Sequence, residues 1–225
     1  MLIQDLHDWN ISYAQAAALQ KILDAKVRFT PIKKSPKLIA GLDCAFTRDG
    51  RNIIAAVVVL TFPNLEPVEH SIAVQKTTFP YIPGFLSFRE APACLEAVKK
   101  LNNTPDVFLI DGQGIAHPRR LGLASHLGLF LNKTTIGCAK SRLTGTFEQP
   151  QNEKGSNSPL KDNSETIGAV LRTRKNVKPL FISVGHKCAL TDAINITLKC
   201  TTKYRLPEPT RLAHHLVTKH KSTIS

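Results

Sequence analysis

Long hydrophobic runs are missing from this 225-residue chain. Its strongest apolar stretch, Ile53 to Leu60, falls far short of the roughly 20 residues that a bilayer-spanning helix needs. Aromatic residues are sparse at 6%, with a single Trp. None of the five cysteines (Cys44, Cys94, Cys138, Cys188 and Cys200) stands in a CxxC spacing, and their number is odd. Both facts argue against a disulfide framework and a zinc ribbon, and favour small buried thiols in a reducing compartment. There is no GxxxxGK[ST] loop, which argues against nucleoside-triphosphate hydrolysis, and no recognisable Ser or Cys nucleophile motif. The opening MLIQDLHDWN carries acids and no basic-then-apolar leader. A soluble, intracellular, cytoplasmic monomer is expected, with no membrane partner.

What remains is the composition of a chain that buries a core: 42% hydrophobic and 21% charged. Wholesale disorder, collagen-like repeats and a coiled coil do not fit it. The length suits one domain over residues 1–225. Acids are the scarce charge: 17 Asp and Glu stand against 30 Lys and Arg, for a formal net charge of +13. From Gly168 to Ser225 there are 11 basic residues and two acids, Asp192 and Glu208. A field of that sign draws polyanions, of which nucleic acid is the commonest.

The chain order predicts an α/β fold. A helix begins after Ser12, a capping residue, with Leu19, Ile22, Leu23 and Val27 at helical spacing. Three strands follow, Leu38 to Phe46, Asn52 to Phe62 and Val68 to Thr77, separated by turn-forming Asp-Gly and Pro-Asn segments that imply an antiparallel meander. Phe85 to Leu101 reads as helix despite Pro92, Val107 to Ile110 as a buried strand, Leu121 to Leu131 as helix and Thr134 to Ala139 as strand. Residues 149–165 are polar and are expected to form an exposed loop. Strands at Thr166 to Arg172 and Pro179 to Val184 and helices near Leu190 to Cys200 and Pro209 to Lys221 complete the order. A mixed β-sheet flanked by α-helices, as in a ribonuclease H-like domain, fits it.

Asp43 lies inside the strand IAGLDCAF, and Asp111 closes VFLID. A buried carboxylate costs several kcal/mol unless a cation or a set of donors neutralises it. A single strand-end Asp is readily explained by backbone amides in a turn. Two of them in separate core strands point to a shared cation, and Glu90, near a helix start, is a third candidate. Such an oxygen-lined site suits Mg²⁺ and leaves water positions for phosphate oxygens. Between Asp111 and Arg120, the run DGQGIAHPRR offers two glycines, Gly112 and Gly114, for close backbone approach to a ligand, His117 for a phosphate or a proton, and Arg119 and Arg120 for phosphates. A plain surface loop explains the same run. Lys140, after a strand, is a further candidate for reaching phosphate; His126 and His186 read as structural.

The run PYIPGFLSFRE from Pro80 to Glu90 resembles the signature of the endonuclease V family, deoxyinosine-directed DNA repair nucleases. DGQGIAHPRRLG from Asp111, IGCAKS from Ile136 to Ser141 and PEPTR from Pro207 resemble three further blocks, in order. The resemblance implies a ribonuclease H-like fold and Mg²⁺-dependent cleavage, with Mn²⁺ able to substitute. It implies hydrolysis of the second phosphodiester 3′ to the lesion, leaving 3′-hydroxyl and 5′-phosphate ends. Position by position it implies Asp43, Glu90 and Asp111 as metal-binding carboxylates, Lys140 as the active-site lysine, and His117 and His214 beside the catalytic centre. Tyr81, held between Pro80, Ile82 and Pro83, matches the strand-separating wedge; Gly84, Gly112, Gln113, Gly114, Arg119 and Ser141 fall in the substrate-binding blocks. The partner implied is DNA containing deoxyinosine, with inosine RNA as the alternative. A non-catalytic nucleic-acid binder is disfavoured, since three anions facing phosphates do nothing for binding.

Overall fold

The computed structural model describes residues 1–224. Helix α1 (Tyr13–Asp24) is followed by β1 (Leu38–Phe46), β2 (Asn52–Thr61), β3 (Pro67–Lys76) and α2 (Leu86–Lys99). Then come β4 (Val107–Ile110), α3 (Leu123–Leu131), β5 (Thr134–Ala139), β6 (Asn157–Asp162), β7 (Glu165–Leu171), β8 (Leu180–His186), α4 (Leu190–Lys199) and α5 (Glu208–Ile224). All eight strands join one sheet in the order β3-β2-β1-β4-β5-β8-β7-β6. The first three form the expected antiparallel meander, turned at Gly50 with φ 70°. β4 and β5 add in parallel beside β1, connected by α2 and α3, and β8 closes on β5 antiparallel.

Strand alternation explains why both faces are covered. Ile39, Leu109 and Ile136 enter one core with Ala193, Ile196 and Ala213 of α4 and α5. Their neighbours Ala40, Leu42, Phe108 and Ile110 enter the opposite core, with Ala91, Val98 and Phe130 of α2 and α3. Central strands buried on both sides read as continuous apolar runs, which is why β2 and β4 are so plain in the sequence. Among the described residues no helix is long and apolar enough to cross a membrane.

Two expectations need correction. The stretch 149–165 is not wholly an exposed loop: Asn157–Asp162 forms edge strand β6, paired antiparallel with β7. Only Leu160 of this strand is fully buried, and Pro159 is tolerated because an edge strand has one unpaired side, so no alternating pattern reached the sequence. In α1 the Ser12 capping box forms with Gln15, but Ile22 is 55% exposed and Val27 lies beyond the helix end. The buried face there is Ala16, Gln20 and Leu23.

Candidate active site

β1 and β4 are paired in parallel with Leu42 opposite Ile110, so the next residue on each, Asp43 and Asp111, leaves the sheet at the same level. The Asp111 amide donates to the Leu42 carbonyl at 3.0 Å and fixes that register. Gly41 has a second job: a Cβ there would run into the backbone of Pro209 and Thr210, so only glycine lets the start of α5 lie on β1. The helix then carries His214 over the strand, with Nδ1 2.7 Å from Asp43 Oδ2. From the end of β5, the Lys140 ammonium pairs with Asp111 Oδ2. Ligand atoms of Asp43, Asp111 and His214 lie within 4.8 Å of one another.

The electrostatics are those of a crowded anionic site. Burial, and then the charge of Asp111, raises the pKa of Asp43, against the opposing pull of His214 and Lys140. Glu90, on α2, is buried and stands outside the three-residue cluster, although the charges of Asp43 and Asp111 reach it. Its carboxyl is pushed up to about 8, chiefly by burial. The Cys44 thiol is raised well above its usual value by its hydrogen bond with Cys94 and by burial, so it is inert there. Two carboxylates and an imidazole at this spacing, with surplus negative charge, fit a divalent cation that keeps part of its water shell.

Beside the carboxylates a second feature is assembled from the loop before α2. Tyr81 is 71% exposed at its tip, flanked by exposed Pro80 and Pro83 and half-buried Ile82. The loop is tied down at Gly84, which adopts φ 80°. Its carbonyl accepts from Gln20 Nε2 at 2.9 Å, Arg119 at 2.9 Å and His117 Nε2 at 3.1 Å. His117 Nδ1 accepts the Arg119 amide, which leaves its proton on Nε2 for Gly84. Burial, and then the Arg119 charge, lowers His117 to about 4, so the ring is neutral at pH 7. Gln20 closes the network by accepting from Arg119 Nε.

Under this loop lies a largely apolar pocket of about 160 Å³, bounded by Tyr81, Gly84, Gly112, Gln113, His117 and Leu143 among others. Gln113 Nε2 donates to the Ser141 carbonyl at 2.9 Å, linking the pocket to the segment that carries Lys140. Gly114 is buried behind the wall, its amide on Ser183 Oγ at 2.8 Å and its α-carbon against the Val184 backbone. Arg120 turns outward to Asp162 and Glu165 of the β6–β7 hairpin. Sequence reasoning missed Gln20, whose one signal is a polar residue on the buried face of α1. It also missed Leu143 and Arg205, which carry none; Arg205 donates to the Lys140 carbonyl at 2.8 Å and to that of Pro179 at 2.7 Å.

Residues 21–215 match the sequence model of one family, Endonuclease V. This chain belongs to the Endonuclease V family. It is an enzyme, a nuclease of the hydrolase class. An Endonuclease V of Nostoc punctiforme is 52% identical over 211 residues, covering 93% of this chain and 96% of that protein. The crystal structure of the Endonuclease V from Streptomyces avermitilis superposes with a TM-score of 0.92 at 38% identity, covering 99% of each chain. The Ciona intestinalis Endonuclease V, solved with a 24mer DNA containing an inosine followed by a ribo-adenosine, superposes with a TM-score of 0.82 at 30% identity. It covers 94% of this chain and 98% of that one. The α/β fold with its mixed eight-stranded sheet agrees with these neighbours.

Proposed function

We propose that this Endonuclease V-family enzyme is a divalent-metal-dependent DNA repair nuclease that recognises deoxyinosine and hydrolyses the second phosphodiester 3′ to it, leaving 3′-hydroxyl and 5′-phosphate ends. The observation that carries the reading is the Asp43, Asp111 and His214 cluster beside the pocket under Tyr81. Asp43 and Asp111 would hold Mg²⁺, or Mn²⁺ in its place, with His214 the third group of the cluster and Glu90 a further carboxylate whose pKa their charges reach. When bound there, such an ion would supply Lewis-acid polarisation of a phosphodiester and a lowered pKa for a water molecule.

The chain's own groups do the rest. Lys140 balances Asp111 and presents an ammonium to a phosphate oxygen or to the water on the metal side. Tyr81, on its Pro-flanked loop, offers an aromatic face to fill the space a flipped base leaves. The pocket, below the roughly 300 Å³ at which drug-sized ligand sites begin, has the scale of a single heterocycle. The neutral His117 ring and the Arg119 guanidinium, both bonded to the Gly84 carbonyl, hold the loop over the pocket in place, while Gly112 and Gln113 line it.

Inosine-bearing RNA is a second reading, favoured by the ribonucleotide that follows the inosine in the DNA bound to the Ciona relative. End-labelled duplexes with one deoxyinosine, run beside the matched inosine RNA, separate the two. Nicking of the DNA displaced 3′ of the lesion supports the repair reading; cleavage of RNA alone moves the function to inosine RNA turnover.

A further inference from the structure

Cations collect at the end of the sheet remote from Asp43 and Asp111. His186 closes β8 opposite Thr135 at the start of β5, whereas Lys140 follows the other end of that strand. Lys140 is five steps along the chain from Thr135, roughly 17 Å at about 3.4 Å per residue. At the remote end lies a polar cleft of about 560 Å³, with Lys26, Arg28, His186 and Lys187 in its wall.

Two of these groups are held in place. His186 is buried, and its Nδ1 accepts the Arg28 amide at 3.2 Å, which leaves the ring proton on Nε2. Burial and the charges of Lys187 and Arg28 lower its pKa to about 4, so the neutral ring presents Nε2–H as a donor with no partner among the described residues. Lys187 has φ 51°, and its ammonium is fixed by the carbonyl of Asn132, at 3.1 Å, and by that residue's side-chain oxygen. The cleft thus holds donors and positive charge in a fixed arrangement.

The charge continues outward. An adjoining cleft of about 370 Å³ shares Lys187 and is bordered by Lys33, Lys34 and Lys37 of the connector between α1 and β1. The charge of Lys133 also reaches Lys187. Nearby carboxylates are engaged with backbone: Asp106 accepts from the amides of Lys37 and Leu38, and Asp192 from those of Ile32 and Ala189. Asp24, near the end of α1, is the remaining acid of this stretch. None of the seven cations forms an ion pair among the described residues.

We propose that this end of the molecule is a second nucleic-acid contact surface, which seats one backbone phosphate in the cleft of His186 and Lys187 and runs the adjoining phosphates along the lysines of the connector. Six cations over two joined clefts, with Lys133 close by, span more than one phosphate, so an extended polyanion fits where a free anion would leave most of them unused. Such contacts fix position without reading sequence. The site goes beyond the proposed cleavage reaction and uses none of its residues. It lets the enzyme hold a second segment of undamaged nucleic acid while the pocket samples the first.

The test uses the full chain, an undamaged labelled duplex and chelator, with anisotropy read over a range of salt concentrations. Lys26, Lys33 and Lys34 are exposed and make no side-chain hydrogen bond or ion pair among the described residues, so a Lys26→Ala, Lys33→Ala, Lys34→Ala variant keeps its fold. Its slope of log affinity against log salt falls by about 2 to 3, at about 0.9 per phosphate contact. Binding weakens several-fold at low salt, and nicking of a short deoxyinosine duplex at saturation is unchanged. Arg28→Ala, at the cleft itself, lowers the slope by about 1. An unchanged slope in both variants, or a parent protein that binds no undamaged duplex, overturns the proposal and leaves the cleavage reading standing; that reading fails separately if the deoxyinosine duplex is not nicked with Mg²⁺.

Discussion

His214 Nδ1 lies 2.7 Å from Asp43 Oδ2, joining a helix and a strand 171 positions apart in the chain. The contact exists because α5 lies directly on β1, and the imidazole thereby becomes part of the cluster proposed to hold the metal. His214→Ala is expected to lower the nicking rate by about 10- to 100-fold, the usual cost of losing a partner at a metal site, and to raise the Mg²⁺ concentration needed. His214→Asp, which restores a donor, keeps most of the activity. Initial rates across a Mg²⁺ titration check both.

Gly41→Ala attacks the same contact from beneath. The added methyl meets the Pro209 and Thr210 backbone, which has no flexible end to give way. Overpacking of this kind costs about 1–3 kcal/mol or more, visible as a lower urea midpoint. Because the start of α5 is displaced, nicking falls as well; a variant with full stability and full activity contradicts the packing.

How far the site could be read from sequence follows from which of its parts are local. Asp43 and Asp111 were legible because each interrupts an apolar strand, and the meander because its turns are short and rich in Gly, Pro and Asp. His214 was reached only through family resemblance, since nothing in α5 announces which strand it crosses. Gln20 showed only as a polar residue on the buried face of α1, and Arg205 not at all: each works through backbone carbonyls, of Gly84 and of Lys140, that leave no trace in composition. The β6 strand was missed because an edge strand with a single buried residue carries no periodic signal.

Gln20→Ala is expected to loosen the wedge loop without touching the carboxylates. It removes a donor to Gly84 and the acceptor for Arg119, in a fully buried position. Loss of a buried hydrogen-bond partner costs about 1–3 kcal/mol. Affinity for a deoxyinosine duplex falls, while the Mg²⁺ concentration giving half-maximal rate stays the same. A shift in the metal requirement with unchanged duplex affinity would refute this division of labour.

Buried histidines set an acid limit on stability. Burial lowers His126 to about 3, with His7 adding to the effect, and lowers His117 and His186 to about 4. In the unfolded chain these rings titrate near 6.5, so below that pH the unfolded state binds more protons than the folded one. Their contribution is complete above about 6.5 and is lost as pH falls towards 4. Thermal midpoints measured from pH 7 down to about 4.5 therefore decline, and His126→Phe, whatever its baseline, declines less steeply. Parallel curves for the two proteins would show that His126 is not held neutral.

The most direct test of the account is single-turnover nicking of a deoxyinosine duplex by the protein and by Asp43→Asn, each with Mg²⁺ and with chelator, alongside duplex binding. The account predicts cleavage 3′ of the lesion only for the unaltered protein with Mg²⁺, and lesion binding retained by Asp43→Asn. Cleavage that survives the chelator, or that Asp43→Asn performs at the parent rate, would contradict the assignment of the carboxylate cluster as the metal-dependent catalytic centre.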